Sequence, residues 1–404
     1  MKKLLAIMLT LIMATSCVAC TSSDTSSSSQ DATTAATTTA QAASADDDLE
    51  TLDWVAYKEY NLEEDVPVKN IILMIGDGMG ENIIKASEVV KGDKLVMSGM
   101  PHKTYVTTHS VSVEKGYADF TDSAASATAI STGVKTLNSY IGVDENENKL
   151  ETICEFAMNK GLKTGLVARH YVCHATPAGM VAHNNSRNNY QKILREMINS
   201  GVNVMFGGGG QYYKDSKKTR TTVEENNYKY ITTEEELLAL EGNEEKVLGM
   251  FAFDNMGSAT HNPQLPVMTE KALELLDNEN GFFLMVEGSN IDVYAAQENM
   301  PETLEQMKSF DASVDYVLSW AEQHPGTLVI VTADHETGGV EVPENAKPED
   351  ITNDCFTSDG EHTNTNVLLM ASGANSKGIC EQELIDNTDI AKYMRKVLEE
   401  SHAD

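Results

Sequence analysis

Positive charge is scarce in this chain. Its 404 residues carry 30 Lys and Arg against 62 Asp and Glu, a net charge of −32. Such a balance excludes nucleic acid as a specific partner, because phosphate backbones reward Lys and Arg. A small phosphorylated substrate is not excluded, since bound metal ions can invert the field inside a site. Long apolar runs are also missing. The only one, Leu4 to Met13, is too short to span a membrane, and no later stretch offers a span. No internal repeat is present. The four cysteines beyond residue 20 (Cys154, Cys173, Cys355 and Cys380) form no CxxC or other zinc-type spacing. They could pair in an oxidising compartment in more than one way, or stay as buried reduced thiols.

What stands at the N-terminus reads as an address. Met1-Lys-Lys, the apolar run and the small residues before Cys17 and Cys20 predict a lipoprotein-type signal peptide over 1–20, ordinary signal cleavage being the alternative. Residues 21–48 are almost all Ser, Thr, Ala, Gln and Asp, so a disordered tether is expected over 21–50. A secreted protein lipid-anchored at the bacterial surface follows, touching membrane only through that lipid. The folded body is expected over 51–404.

That body alternates short apolar strands with helical patterns. Strands are predicted at Asn70–Ile75, Thr164–Ala168, Asn203–Phe206, Phe282–Val286, Thr327–Thr332 and Val367–Ala371. Helices are predicted at Leu150–Asn159, Tyr190–Asn199, Thr269–Leu276 and Leu304–Glu322. This is an α/β pattern: a doubly wound, largely parallel sheet covered by helices on both faces. Residues 207–250 and 341–361 read as surface insertions. Ligands in such sheets bind beyond the carboxyl ends of the strands. Asp77, Glu287 and the pair Asp334-His335 each fall at such an end.

The stretch 121–129, Thr-Asp-Ser-Ala-Ala-Ser-Ala-Thr-Ala, gives the site its centre. It predicts a helix with Ser123 in the first turn, where free N–H groups and the dipole favour an anion. By itself it could equally be a capped helix packed tightly on a sheet. Elsewhere stand oxygen and imidazole donors suited to Zn²⁺ and Mg²⁺: Asp77, Glu287, Asp292, Asp334, His335 and His362. Arg187 offers a fork for phosphate oxygens. Metals, a hydroxyl nucleophile and a guanidinium together make a site for phosphoryl chemistry.

In this order the motifs resemble the alkaline phosphatase family, from about residue 68 to the end. They are Gly-Asp77-Gly-Met-Gly, Thr-Asp122-Ser123-Ala-Ala-Ser-Ala-Thr-Ala, His174-Ala-Thr176-Pro-Ala-Gly, Ala-His183 and Arg187. Val-Glu287-Gly-Ser-Asn-Ile-Asp292, Thr-Ala-Asp334-His335-Glu-Thr-Gly-Gly and Glu-His362-Thr follow. The resemblance implies Ser123 as the nucleophile that forms a phosphoserine and releases inorganic phosphate from small phosphomonoesters. It implies Arg187 as the phosphate clamp, and a Zn²⁺ held by Asp77, Asp334, His335 and Ser123. It also implies a third ion, usually Mg²⁺, at Asp77, Thr176 and Glu287. There His174 replaces an Asp of some members and would tune the metal preference. Homodimers are common in the family.

One residue departs from the pattern. The family's other zinc site takes an Asp, a His four residues later and a distant His. Here Asp292 and His362 are present, but the i+4 position is Ala296. An alanine methyl cannot ligate. Gln297 or Glu298 could supply an oxygen after a helix distortion, a water could complete a weakened site, or the ion could be lost. Hence one or two zinc ions are expected. Phosphodiester or sulfate-ester hydrolysis on the same site, or non-catalytic binding of phosphate or metal, are the alternatives to monoester hydrolysis.

Overall fold

A computed structural model of the chain describes residues 52–401. The signal peptide, the tether through residue 50, Cys17 and Cys20 lie outside the described residues.

The strands in chain order are β1 (Asn70–Gly76), β2 (His102–Thr107), β3 (Lys163–Tyr171), β4 (Val204–Gly208), β5 (Lys229–Ile231) and β6 (Val247–Met250). They continue with β7 (Phe282–Gly288), β8 (Thr327–Thr332), β9 (Glu336–Thr337), β10 (His362–Thr363), β11 (Val367–Gly373) and β12 (Leu384–Asp386). Ten of them form one sheet in the order β12-β2-β11-β8-β1-β7-β3-β4-β6-β5, and β9 pairs with β10 in a separate ribbon. Only β11 pairs antiparallel with its sheet neighbours. Every residue of β1, β7 and β8 is buried, which accounts for the apolar runs that fill their centres.

Helices flank the sheet. Leu265–Leu276 and Met300–Glu322 pack on each other and on the central strands, while Ser123–Thr132 packs on Asn387–Ser401 and on Ala175–Gly179. The doubly wound, largely parallel architecture is therefore present. Each predicted strand and helix has a counterpart, with ends moved by capping chemistry. The helix expected from Leu150 begins at Ile153, because Thr152 caps it in a reciprocal capping box with Glu155. The helix expected from Leu304 begins at Met300, capped by Asn299 with a proline in its first turn. The segment 207–250 does more than cover the surface, since it adds β5 and β6 to the sheet edge. Of the cysteines, Cys154, Cys173, Cys355 and Cys380 are all unpaired thiols.

Register fixes where the polar ends meet. Ile75 pairs with Glu287 on one side and with Thr332 on the other, and Ala168 pairs with Glu287. Asp77 and Asp334 each lie two residues beyond that line, so three adjacent strands deliver their donors within two residues of one level. No helix of the described residues is long and apolar enough to cross a membrane.

Candidate active site

Ser123 is the first residue of the helix Ser123–Thr132, and Asp122 is its N-cap. The helix is buried from Ser123 to Ser131. Its small residues permit this. A Cβ added to Gly179 on the neighbouring helix would lie 2.7 Å from the Ala127 Cβ, so only glycine allows the approach. The Ser126 hydroxyl donates to the Asp334 carbonyl at 2.6 Å and ties the helix to the end of β8.

Asp122 does more than cap. One oxygen accepts from the Ala125 N–H at 3.0 Å. The other accepts from the Ser139 N–H at 2.9 Å and from Arg187 Nη1 at 3.0 Å. The acid before the nucleophile position therefore also aims the guanidinium. Sequence patterning shows the cap but not this partnership, because Arg187 lies 65 residues away. Burial opposes the guanidinium charge, yet the Asp122 carboxylate outweighs it and raises the Arg187 pKa. Arg187 Nη2 donates to His174 Nε2 at 3.2 Å. A ring nitrogen that accepts from a guanidinium belongs to a neutral imidazole. Burial, then the neighbouring His170 and Arg187, push the His174 pKa well down, in agreement.

Three groups of ligating atoms cluster tightly enough to hold an ion: Asp77 with Asp334 and His335, Asp77 with His174 and Glu287, and Asp292 with His335 and His362. Asp77, at the turn after β1, is common to the first two. Gly78 makes that turn with φ +72°, and a Cβ there would come within 3.0 Å of the Asp292 Cα. Asp334 Oδ1 accepts from the N–H groups of Gly78 and His335 at 3.1 and 3.0 Å. Its Oδ2 is left buried without a partner. Also buried and unpartnered are Asp77 Oδ1, both Glu287 carboxylate oxygens, Thr176 Oγ1 and His174 Nδ1. Buried carboxylate oxygens in that state are costly unless cations pair them. Burial and then the charges of Asp334, Asp292 and Glu287 drive the Asp77 pKa well up. Burial and the Asp334 charge bring Glu287 to about 8. This donor set fits divalent cations of the hard or borderline kind. Ser123 Oγ lies 3.2 Å from His335 Nε2, which is also 3.5 Å from Asp77 and 3.3 Å from Asp334. That convergence is the spacing of ligands around one ion.

The third cluster is poorer than its count suggests. His335 Nε2 already faces Asp77, Asp334 and Ser123, and its Nδ1 lies 3.2 Å from the Thr337 hydroxyl. One ring nitrogen cannot serve two ions, so the outer position rests on Asp292 and His362, 3.5 Å apart. His362 comes in on β10, and its Nδ1–H donates to the Thr121 carbonyl at 2.9 Å, leaving Nε2 toward Asp292. Burial alone would raise Asp292, but the paired His362 and His335 rings pull its pKa below the usual carboxylate range. Thr337, which sequence reading missed, donates to Asp292 Oδ1 at 2.5 Å. Ala296 is exposed, in helical backbone at the end of Asn290–Ala295. Glu298 joins none of the clusters and has turned to φ 54°, and Gln297 is exposed.

His183 is not part of the site. Its Nε2 donates to the Leu150 carbonyl at 2.8 Å, and its ring lies 3.4 Å from both Glu155 and Glu196. Burial opposes the charge, but the two carboxylates outweigh it and hold the pKa near 9. A folded-state pKa above the unfolded value of about 6.5 means full stabilisation below that pH and loss as pH rises through about 9. Melting curves of wild type and His183→Gln should therefore differ most at and below about pH 6.5, by on the order of 1 kcal/mol, and converge above about pH 9. A constant gap would sink this reading.

Relatives share this architecture. The family model for alkaline phosphatase matches residues 68–353. Alkaline phosphatase 4 of Bacillus subtilis is 35% identical over 301 residues, covering 70% of this chain and 65% of the Bacillus protein. The Escherichia coli alkaline phosphatase is 32% identical over 410 residues, covering 83% and 87%. The solved alkaline phosphatase of the Antarctic bacterium TAB5 superposes with a TM-score of 0.74 at 29% identity, covering 83% of this chain and 99% of that one. A variant of that enzyme with one histidine changed to glutamate is solved with Mg bound in its M3 site. The family match, sequence identity over most of the chain and a shared fold place this protein in the alkaline phosphatase family, the metal-dependent phosphomonoester hydrolases.

Proposed function

We propose that the protein hydrolyses phosphomonoesters through a phosphoserine on Ser123, with divalent ions held by Asp77, Asp334 and His335 and by Asp77, Glu287 and Thr176 beside His174. The observation that carries this is the convergence of Ser123 Oγ with His335, Asp77 and Asp334 under a guanidinium fixed by Asp122. Ions bound there would neutralise phosphate charge and acidify the serine hydroxyl.

The chain's own residues do the rest. Arg187 binds two phosphate oxygens as a fork, pre-oriented by Asp122 and by the neutral His174. The N-terminus of the Ser123 helix adds a positive dipole end beneath the phosphate. Ser123 Oγ attacks phosphorus, the ester oxygen leaves, and water later cleaves the phosphoserine. Burial of Asp77, Glu287 and Asp334 keeps bulk water from screening these charges. With residues 1–50 read as leader and tether, the enzyme would act outside the cytoplasm.

Arg187→Lys should lower kcat/KM about 10- to 100-fold, because an ammonium loses the planar two-point contact. Unchanged kcat/KM would remove Arg187 from the clamp role. The test of the whole reading is hydrolysis of a chromogenic phosphomonoester at alkaline pH. Turnover should vanish on chelation and return with added Zn²⁺ and Mg²⁺. Tight phosphate binding without turnover would favour the non-catalytic alternative, and faster diester or sulfate cleavage would favour the other.

A further inference from the structure

Aromatic residues make up only 6% of the chain, yet five ring side chains gather beside the phosphate clamp. The path begins at Arg187, whose Nη2 donates to His174. The His174 ring stacks on His170 at 4.0 Å and lies nearly parallel to Tyr190, 14° apart, at 6.5 Å. Tyr190 is three residues past Arg187 and opens the helix Tyr190–Ser200. Tyr190 lies 5.0 Å from Tyr212 and 5.3 Å from Tyr171, and Tyr171 lies 5.2 Å from Tyr212.

Three separate segments build this cluster. Tyr171 ends β3, Tyr190 starts a helix, and Tyr212 comes from the short helix Gly210–Lys214 after the glycine run of β4. Gly209 lets that turn approach, for its φ is +88° and a Cβ would meet the Tyr171 Cβ at 3.1 Å. The Tyr171 hydroxyl donates to Asp254 Oδ1 at 2.5 Å, which fixes the ring. All three tyrosines are only half-buried, so part of each residue's surface stays open to solvent. Rings serving only as packing would be expected to bury more of that surface.

We propose that Tyr171, Tyr190 and Tyr212 form a stacking wall for the organic group of phosphomonoesters that carry an aromatic ring, whether an aryl group or a nucleobase. The inference rests on the phosphatase reading and adds the substrate class to it. Edge-to-face and offset contacts with such a wall favour any flat ring, with little demand on its hydrogen-bonding pattern.

The test compares kcat/KM for a nucleoside 5′-monophosphate with that for ribose 5-phosphate, which leave as the same kind of primary alcohol. Benzyl phosphate against ethyl phosphate forms the aryl pair. The ring-bearing ester should be preferred about tenfold in both pairs. Tyr212→Ala should reduce both preferences to within about twofold and leave ribose 5-phosphate turnover unchanged, while Tyr212→Phe should keep them. Equal rates in the wild type, or an undiminished preference in Tyr212→Ala, would overturn the wall. A preference confined to the nucleoside pair would also overturn it, in favour of hydrogen-bond recognition of the base. If no ester turns over, the phosphatase reading has failed instead. Calorimetric binding of the nucleoside monophosphate and ribose 5-phosphate to Ser123→Ala then still decides the wall, by the presence or absence of the same ratio.

Discussion

Ser123→Ala is expected to lower kcat for a simple phosphomonoester by about 1,000-fold or more, with metal content almost unchanged. In the proposed scheme the activity loss follows from removing the hydroxyl that carries the phosphoryl group between two displacements. The metal should stay because Asp77, Asp334 and His335 still converge without the hydroxyl. Folding should be little affected, since Ser123 is small and its side chain meets only His335 by hydrogen bond. Elemental analysis and a melting curve beside the kinetics separate these effects. Acid quenching of wild type with labelled substrate should trap phosphoserine, and the variant should give none. Turnover that survives in the variant at more than a few per cent would mean that water attacks phosphorus directly, and the two-step scheme would be abandoned.

Ala296→His is expected to tighten one zinc by about 100-fold or more, beyond the 10- to 100-fold typical of outer-sphere changes. The backbone is ready for it. Ala296 keeps helical angles, and its N–H donates to the Asp292 carbonyl at 2.8 Å, so residue 296 stands one turn above Asp292 on the same face. Ala296 is exposed, and Gly360 lies against its carbonyl. An exposed position tolerates a larger side chain, and the lower helix propensity of histidine costs only about 0.5 kcal/mol at a helix end. Competition against a calibrated chelator reads the affinity, and mass spectrometry of metal content reads the stoichiometry. In wild type one zinc should be lost at chelator concentrations that leave the Asp77 clusters loaded. An affinity already tight in wild type and indifferent to the histidine would show that Asp292 and His362 have a further protein ligand.

Much of this was legible in the chain. Short apolar runs within 70–75, 282–286 and 327–332, each stopped by polar or glycine residues, read as strands buried on both faces, whose polar ends then face one crevice. The short strands β2, β5, β6 and β12 were not legible. His102–Thr107 alternates burial like an edge strand, and Lys229–Ile231 holds too few residues to show a period. The loop 341–361 reads as an insertion, yet the β9–β10 ribbon that closes it is what carries His362 to Asp292.

Local chemistry determined the donors: which residues could ligate, which hydroxyl begins a helix, and that position 296 has no donor. Those are properties of residue type and short spacing, and one sequence carries them fully. Tertiary structure alone decided how the donors are shared. The parallel register of β8, β1 and β7 sets Asp77 between two clusters, and a fold across 65 residues hands Arg187 to Asp122. Burial then leaves carboxylate oxygens without partners, and it depends on what the rest of the chain packs around them. The tyrosines beside the clamp come from three segments whose spacing in sequence has no period, so only the folded chain brings them to one wall.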